Sequence, residues 1–282
     1  MTLDRRRHAF REDLADERLR GQVEALRYVR GEKRCITVSA ASLHRQPSGE
    51  SAIDTQALFG EDVLIFEQAE GWAWAQLSDG YVGYLPISTL GKERNEPTHR
   101  VSALRTFIYS GPNLKLPTMH HVSIGSLVHV IREEGDYSEI AGGGFIFSRH
   151  LARIDTFETD FVSVAERFLE TPYLWGGKSS LGIDCSGLVQ LSLAIAGAGC
   201  PRDSDMQEAE LGSSISINHD LSGLKRGDLI FWKGHVAIML DSVRMIHANG
   251  WSMNVHVEPL KVAEKRIREV ANGGFITSIR RL

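Results

Sequence analysis

No run of about 18 apolar residues occurs anywhere in the 282-residue chain, so a transmembrane helix is not expected and no membrane insertion is foreseen. A basic surplus is missing too. The 32 lysines and arginines face 36 acidic residues, and the net charge of −4 argues against a general nucleic-acid binder. Cysteine is scarce: Cys35, Cys185 and Cys200 cannot all pair, and there is no Cys-x-x-Cys. The zinc-protease pattern His-Glu-x-x-His is absent, the adjacent His120 and His121 are poorly arranged to chelate one ion together, and no phosphate loop appears. Neither a metal nor an organic cofactor is therefore expected. The N-terminus is basic at Arg5, Arg6 and Arg7 but lacks the apolar stretch that a secretory signal places after such residues. A cytoplasmic protein is the expectation.

What is present is ordinary for a globular protein, 42% hydrophobic and 24% charged, at a length that suits two or three domains. Residues 1–33 are polar and read as a lead-in segment, with a short helix expected over Asp13–Leu26. Residues 34–155 have a β texture and a weak internal repeat. Val38-Ser39-Ala40 returns as Val101-Ser102-Ala103, Gly60-x-x-Val63 as Gly125-x-x-Val128, Gly71-Trp72 as Gly135-Asp136, and Gly80-Tyr81-Val82 as Gly143-Gly144-Phe145. Short alternating strands between turn residues suggest two small barrels, 34–92 and 98–155, joined by a linker over 91–98. One irregular β domain is the alternative. From 157 to 282 the texture is mixed α/β. Phe161–Leu169 and the nearly all-apolar Ser186–Ala196 read as helices, and Leu229–Trp232, Val236–Leu240 and Arg244–Ala248 as strands.

Cys185 stands where a glycine-containing loop meets the start of the apolar helix. Backbone N–H groups and the helix dipole at that point favour a thiolate and are expected to lower the thiol pKa. Gly182 and Gly187 leave room for a substrate. A thiol nucleophile needs a proton acceptor, usually histidine. His219, His235, His247 and His256 are available downstream. His235 opens one strand and His247 closes the next, so antiparallel pairing makes these two neighbours and gives a nucleophile, a base and a group that orients the base. By contrast, Cys35 and Cys200 read as small buried hydrophobes.

The ordered pieces Tyr173-x-Trp175-Gly176-Gly177, Asp184-Cys185-Ser186-Gly187, Arg226-Gly227-Asp228-Leu229-x-Phe231, Gly234-His235-Val236-Ala237-Ile238 and Ile246-His247-Ala248 strongly resemble the NlpC/P60 peptidases. The front repeat resembles tandem bacterial SH3 domains, the second copy more weakly. The resemblance implies a multidomain chain, with two small SH3-like β-barrels ahead of a papain-like α+β catalytic domain. It implies that Cys185 attacks the scissile carbonyl, that His235 activates the thiol and protonates the leaving amine, and that His247 orients His235. The Tyr173 hydroxyl, with the Cys185 backbone N–H, would form the oxyanion hole. Trp175 is expected to pack rather than react.

Chains of this family with SH3 domains in front look like γ-D-glutamyl-L-diamino acid endopeptidases of the dipeptidyl-peptidase VI type. These cut murein peptides between D-isoglutamate and meso-diaminopimelate or lysine, favouring a free N-terminal L-Ala, which suits cell-wall peptide recycling. By that likeness Asp184, with Ser186 beside the nucleophile, would meet the substrate amine, and Tyr81 would help close the subsite. The expected SH3-domain acid is replaced by Ala52, leaving Glu50 or Asp54 as substitutes. Asp203 and Ser204 would line the groove, although Ser204-x-x-Gln207 also has the spacing of a helix capping box. Other readings are an amidase or acyl transferase on the same fold, or a wall-binding protein with vestigial activity.

Overall fold

The computed structural model describes residues 3–92, 95–216, 221–269 and 274–282. The chain forms two compact units, the first ending at Thr156 and the second running from Phe157 to Leu282.

The first unit is almost entirely β. Its larger sheet has seven strands in the order Ile53–Leu58, Ala40–His44, Val82–Pro86, Trp72–Leu77, Asp62–Ala69, Glu32–Ile36 and Leu90–Gly91. Alternation drives it: in Ala40–His44 and Trp72–Leu77 the inward residues Ala41, Leu43, Ala73, Ala75 and Leu77 join Ile36, Val63, Ile65, Tyr81 and Leu85 in one core. The same strand order then recurs. Thr118–Ser123, Arg105–Tyr109, Phe145–Phe147, Tyr137–Ile140 and Val130–Glu134 form a five-stranded sheet. Leu127–Val128, His99–Val101 and Leu151–Arg153 form a three-stranded one. Among the described residues neither copy closes on itself by strand pairing, so the expected closed barrels are replaced by open sheets. The copies interlock, because Phe59 packs into the second core and its carbonyl accepts the Leu127 N–H at 2.8 Å. Gly60 makes this approach possible: at φ +78°, a Cβ there would lie 1.9 Å from the Leu127 carbonyl oxygen.

The helix expected over Asp13–Leu26 does not form. Leu14–Asp16 is a strand paired in parallel with Arg27–Val29, followed by a single 3₁₀ turn at Glu17–Leu19. Leu14, Ala15 and Asp16 are buried in succession, a pattern that a one-sided surface helix does not give. Leu14 and Ala9 pack on Phe66 and Trp74, and the Arg11 guanidinium lies over Trp74.

In the second unit a six-stranded antiparallel sheet runs Ser213–Ser214, Ser278–Arg281, Leu229–Trp232, His235–Met239, Arg244–Asn249 and Asn254–Pro259. Helices α1 (Phe161–Glu166), α2 (Cys185–Ile195), α3 (Ser204–Glu210) and α4 (Leu260–Glu269) surround it. α2 packs on the His235–Met239 and Arg244–Asn249 strands and on α1. It can do so because every residue from Cys185 to Leu193 is buried. On one face of the sheet, Ile230, Trp232, Ala237, Met239 and Met245 share a core with Leu260 and Ala263 of α4. Strand alternation puts His235 and His247 on this same face.

Candidate active site

Cys185 is the first residue of α2 and is 8% exposed. Asp184 is the N-cap: its Oδ1 accepts the Gly187 N–H at 2.7 Å, filling one of the unsatisfied donors of the first turn. Gly187 is needed because a Cβ there would sit 2.3 Å from the Gly177 carbonyl oxygen, so the Tyr173–Gly177 loop is pressed against the start of the helix. The backbone N–H of Val236, the residue after His235, acts on the Cys185 thiol, and α2 packs on the strand that His235 opens. The strand start that carries His235 and the helix start that carries Cys185 therefore meet.

His235 Nε2 lies 2.8 Å from His247 Nδ1, as antiparallel pairing of the two strands requires. The chain of contacts continues. His247, 1% exposed, places Nε2 2.9 Å from Glu258 Oε1, and Arg266 clamps both oxygens of that carboxylate, Nη1 donating to Oε2 at 2.7 Å. These bonds dictate the tautomers. Burial alone would raise the Glu258 pKa, but hydrogen bonds from Arg266 and then His247 overcome it and hold the carboxyl down at about 2. An ionised carboxylate only accepts, so His247 Nε2 carries its proton and Nδ1 has the lone pair. That lone pair accepts from His235 Nε2–H, which leaves His235 Nδ1 free as a base. The Asn249 amide nitrogen, 3.1 Å from His247 Nε2, is a second donor that this tautomer does not serve; its Oδ1 instead accepts the backbone N–H groups of Trp251 and Ser252.

The nucleophile and base are both held neutral. Burial pushes the Cys185 thiol up to about 12, with the Asp184 charge adding to it, while N–H groups of Val236 and Ser186 and the Arg202 charge oppose. Burial likewise pushes His235 down to about 3, helped by His247. The expected lowering of the thiol pKa at the helix start is thus overturned, because desolvation outweighs the N–H groups. The site suits general-base activation during attack rather than a resting thiolate–imidazolium pair. Tyr173, partly buried, is raised by burial and by its neighbours Cys185 and Asp184, so its phenol stays a proton donor at any working pH.

Asp184 is 7% exposed and heavily engaged. Arg202, 2% exposed, donates Nη1 to Oδ1 at 3.0 Å and Nη2 to Oδ2 at 2.7 Å. The Gly176 N–H donates to Oδ2 at 2.9 Å, and Ser186 Oγ, itself an acceptor for Arg202 at 2.7 Å, donates to Oδ1 at 3.3 Å. Asp184 therefore shapes the loop and the helix start, and a substrate ammonium would have to share it with a guanidinium. Asp203, rather than Ser204, is at the N-cap of α3, with no side-chain capping bond, and Ser204 is the first helical residue. The expected capping box is absent because Gln207 Nε2 turns to the Ser186 and Pro201 carbonyls, 2.9 Å each. Tyr81 lies in the first unit, 5% exposed, with its ring in the seven-stranded core. Asp54 pairs with Arg45 at 2.7 Å, and Glu50 is exposed. Trp175, expected to pack, is 64% exposed. His256 is exposed, and His219 falls outside the described residues. Among the described residues no cluster of three or more His, Cys, Asp or Glu side chains could hold a metal ion.

Glu258, Arg266 and Asn249 were not singled out by sequence reasoning. Glu258 had a signal. His247 pairs with His256, so Glu258, two residues on, is its diagonal neighbour on the same face of the sheet. Arg266 comes from α4 and has no comparable local mark.

Family models match residues 43–90, as a bacterial dipeptidyl-peptidase SH3 domain, and residues 170–271, as the NlpC/P60 family. The chain carries an NlpC/P60 domain, with an SH3-like domain in front of it. One SH3 model matches, and it falls on the first β copy. Dipeptidyl-peptidase 6 of Lysinibacillus sphaericus is 26% identical over 256 residues, covering 80% of this chain and 90% of that one. A γ-D-glutamyl-L-lysine dipeptidyl-peptidase of Bacillus cereus is 27% identical over 242 residues, covering 74% and 71%. Among solved structures, an NlpC/P60 family protein from Bacillus cereus superposes with a TM-score of 0.72 at 23% identity, covering 89% of this chain and 99% of that one. An NlpC/P60 endopeptidase from Photobacterium damselae subsp. piscicida gives 0.63 at 13% identity, covering 89% and 72%. At these identities the structural likeness speaks for the fold. With that domain and these dipeptidyl-peptidase relatives, the chain is a cysteine peptidase, a hydrolase of the peptidoglycan-directed kind.

Proposed function

We propose that the protein hydrolyses the γ-D-glutamyl–diamino acid bond of unlinked murein peptides that carry a free N-terminal L-Ala. The observation that carries the chemistry is the bonded series His235–His247–Glu258 beside a buried cysteine at a helix start. In this reading His235 Nδ1 takes the Cys185 proton as the sulfur attacks the γ-carbonyl. The Tyr173 hydroxyl and the Cys185 N–H stabilise the oxyanion, and His235 returns the proton to the leaving α-amine. Water then hydrolyses the thioester with His235 as base.

The choice of bond is supported by the Bacillus cereus relative, a γ-D-glutamyl-L-lysine dipeptidyl-peptidase. The front region is read as two SH3-like modules, on the strength of the strand order that recurs in it. A free L-Ala amine exists only on stems released from glycan, so the place of action is the recycling of soluble peptides, in the cytoplasm. No described helix is long and apolar enough to cross a membrane. The test is hydrolysis of L-Ala-γ-D-Glu-diaminopimelate against its N-acetylated form. A clear preference for the free amine is expected. Equal kcat/KM on both would sink the free-amine requirement while leaving the thiol chemistry standing.

A further inference from the structure

A cavity of about 320 Å³ opens beside the base, within the second unit. His235, His247 and Tyr173 line it, together with residues that include Trp232, Lys233, Trp251, Arg266 and Ile267. Cys185, Asp184, Ser186 and Arg202 do not line it. In the cleavage proposed above, the leaving amine takes its proton from His235, so the leaving residue must occupy space that His235 borders. This cavity is such a space, and at the small end of the range for ligand sites it suits a single residue.

Its charge is one-sided. Lys233 and Arg266 line it and no carboxylate does. Arg266 is committed to Glu258 by two hydrogen bonds and lies 5.5 Å from the Trp251 ring. Lys233 is different. It occupies the two-residue turn Lys233-Gly234 between paired Trp232 and His235, which fixes its backbone two positions from the base. It is exposed, and among the described residues it pairs with no acid. The Trp232 indole N–H, buried in the same wall, also has no acceptor among the described residues. A cation and a spare donor next to the leaving-group position call for an anionic occupant.

We propose that this cavity is the leaving-residue subsite and that Lys233 selects a diamino acid carrying a distal carboxylate, of the meso-diaminopimelate type, over lysine. The inference rests on the bond assignment made above. Both residues carry a distal ammonium, but only diaminopimelate adds a carboxylate on the same carbon, and that carboxylate can pair with the Lys233 ammonium. The pair sits at a cavity mouth, partly solvated, so the discrimination is modest, about fivefold in kcat/KM.

The experiment measures kcat/KM of the full chain on L-Ala-γ-D-Glu-meso-diaminopimelate and on L-Ala-γ-D-Glu-L-Lys, for wild type, Lys233→Met and Lys233→Glu. The expected ratio favours diaminopimelate in wild type, falls toward one in Lys233→Met, and inverts in Lys233→Glu. Raising the salt concentration should shrink the wild-type ratio. A ratio that stays the same in all three proteins overturns the subsite while leaving the bond assignment intact. A wild-type protein that cleaves neither peptide overturns the bond assignment and the subsite together.

Discussion

Replacing Glu258 by glutamine removes one charge from the end of the histidine series and leaves its shape nearly unchanged. When His235 takes the thiol proton it becomes an imidazolium. Its ring centroid is 5.0 Å from that of His247, which in turn bonds the carboxylate at 2.9 Å. The new positive charge and the carboxylate are thus ~8 Å apart, an attraction of ~2 kcal/mol at an effective dielectric of ~20. Arg266, on the far side of the same carboxylate at ~12 Å, opposes with ~1.4 kcal/mol, leaving ~0.7 kcal/mol. Glutamine also loosens the tautomer lock, because its amide can donate to His247 as well as accept; a further ~0.5–1 kcal/mol is reasonable for one exchanged hydrogen bond. The sum, ~1–2 kcal/mol, is a fall of about 5- to 30-fold in kcat. KM should stay within about twofold, because the interaction strengthens only as the proton moves. Steady-state kinetics on the stem peptide measures this, with circular dichroism to confirm folding. A folded Glu258→Gln protein that keeps kcat within twofold of wild type would refute the claim that the carboxylate sets the tautomers. A change in KM alone would do the same.

Three further outcomes follow from the same site. Arg202→Met strands the buried Asp184 carboxylate, and losing one partner of a buried pair costs about 3–5 kcal/mol, so urea unfolding should show a loss of that size; less than about 1 kcal/mol would mean the pair is not structural. Because the Cys185 thiol is pushed up to about 12, its alkylation by iodoacetamide should quicken about tenfold per pH unit from 7 to 10; a plateau reached by pH 7 would reveal a resting thiolate. Glu258 has its folded pKa depressed to about 2, so its stabilising contribution is fully present above its unfolded value and is lost as pH falls toward 2. The difference in Tm between wild type and Glu258→Gln should therefore be largest near pH 6 and shrink toward pH 2, and a constant gap contradicts the assignment.

Much of the second unit was legible in the sequence because its signals are local. The apolar run after Cys185 and the two histidines at strand ends each sit within a few residues of the element they define; the glycine at 187, read as room for a substrate, is instead closed against the Gly177 carbonyl. Glu258 and Arg266 depend on a diagonal contact across one strand pair and on a helix docked over it, and neither is encoded nearby. The thiol pKa was misread for a related reason: the helix start is visible in sequence, but the burial that outweighs it arises from packing of the strands and the Tyr173–Gly177 loop. Gln207 looked like a capping residue by spacing and was drawn instead to carbonyls of Ser186 and Pro201. In the front unit the repeat was legible as matched motifs, and the strand order recurs with it. The lead-in helix failed because Leu14 is claimed by Phe66 and Trp74 of a sheet formed later in the chain.

The central claim is that Cys185 opens the γ-D-glutamyl–diamino acid bond. Mass spectrometry of the products from L-Ala-γ-D-Glu-diaminopimelate, run with wild type and Cys185→Ala, tests it most directly. The account predicts L-Ala-D-Glu and free diamino acid from wild type and intact peptide from the variant. Release of free L-Ala, or cleavage that persists in Cys185→Ala, would contradict it.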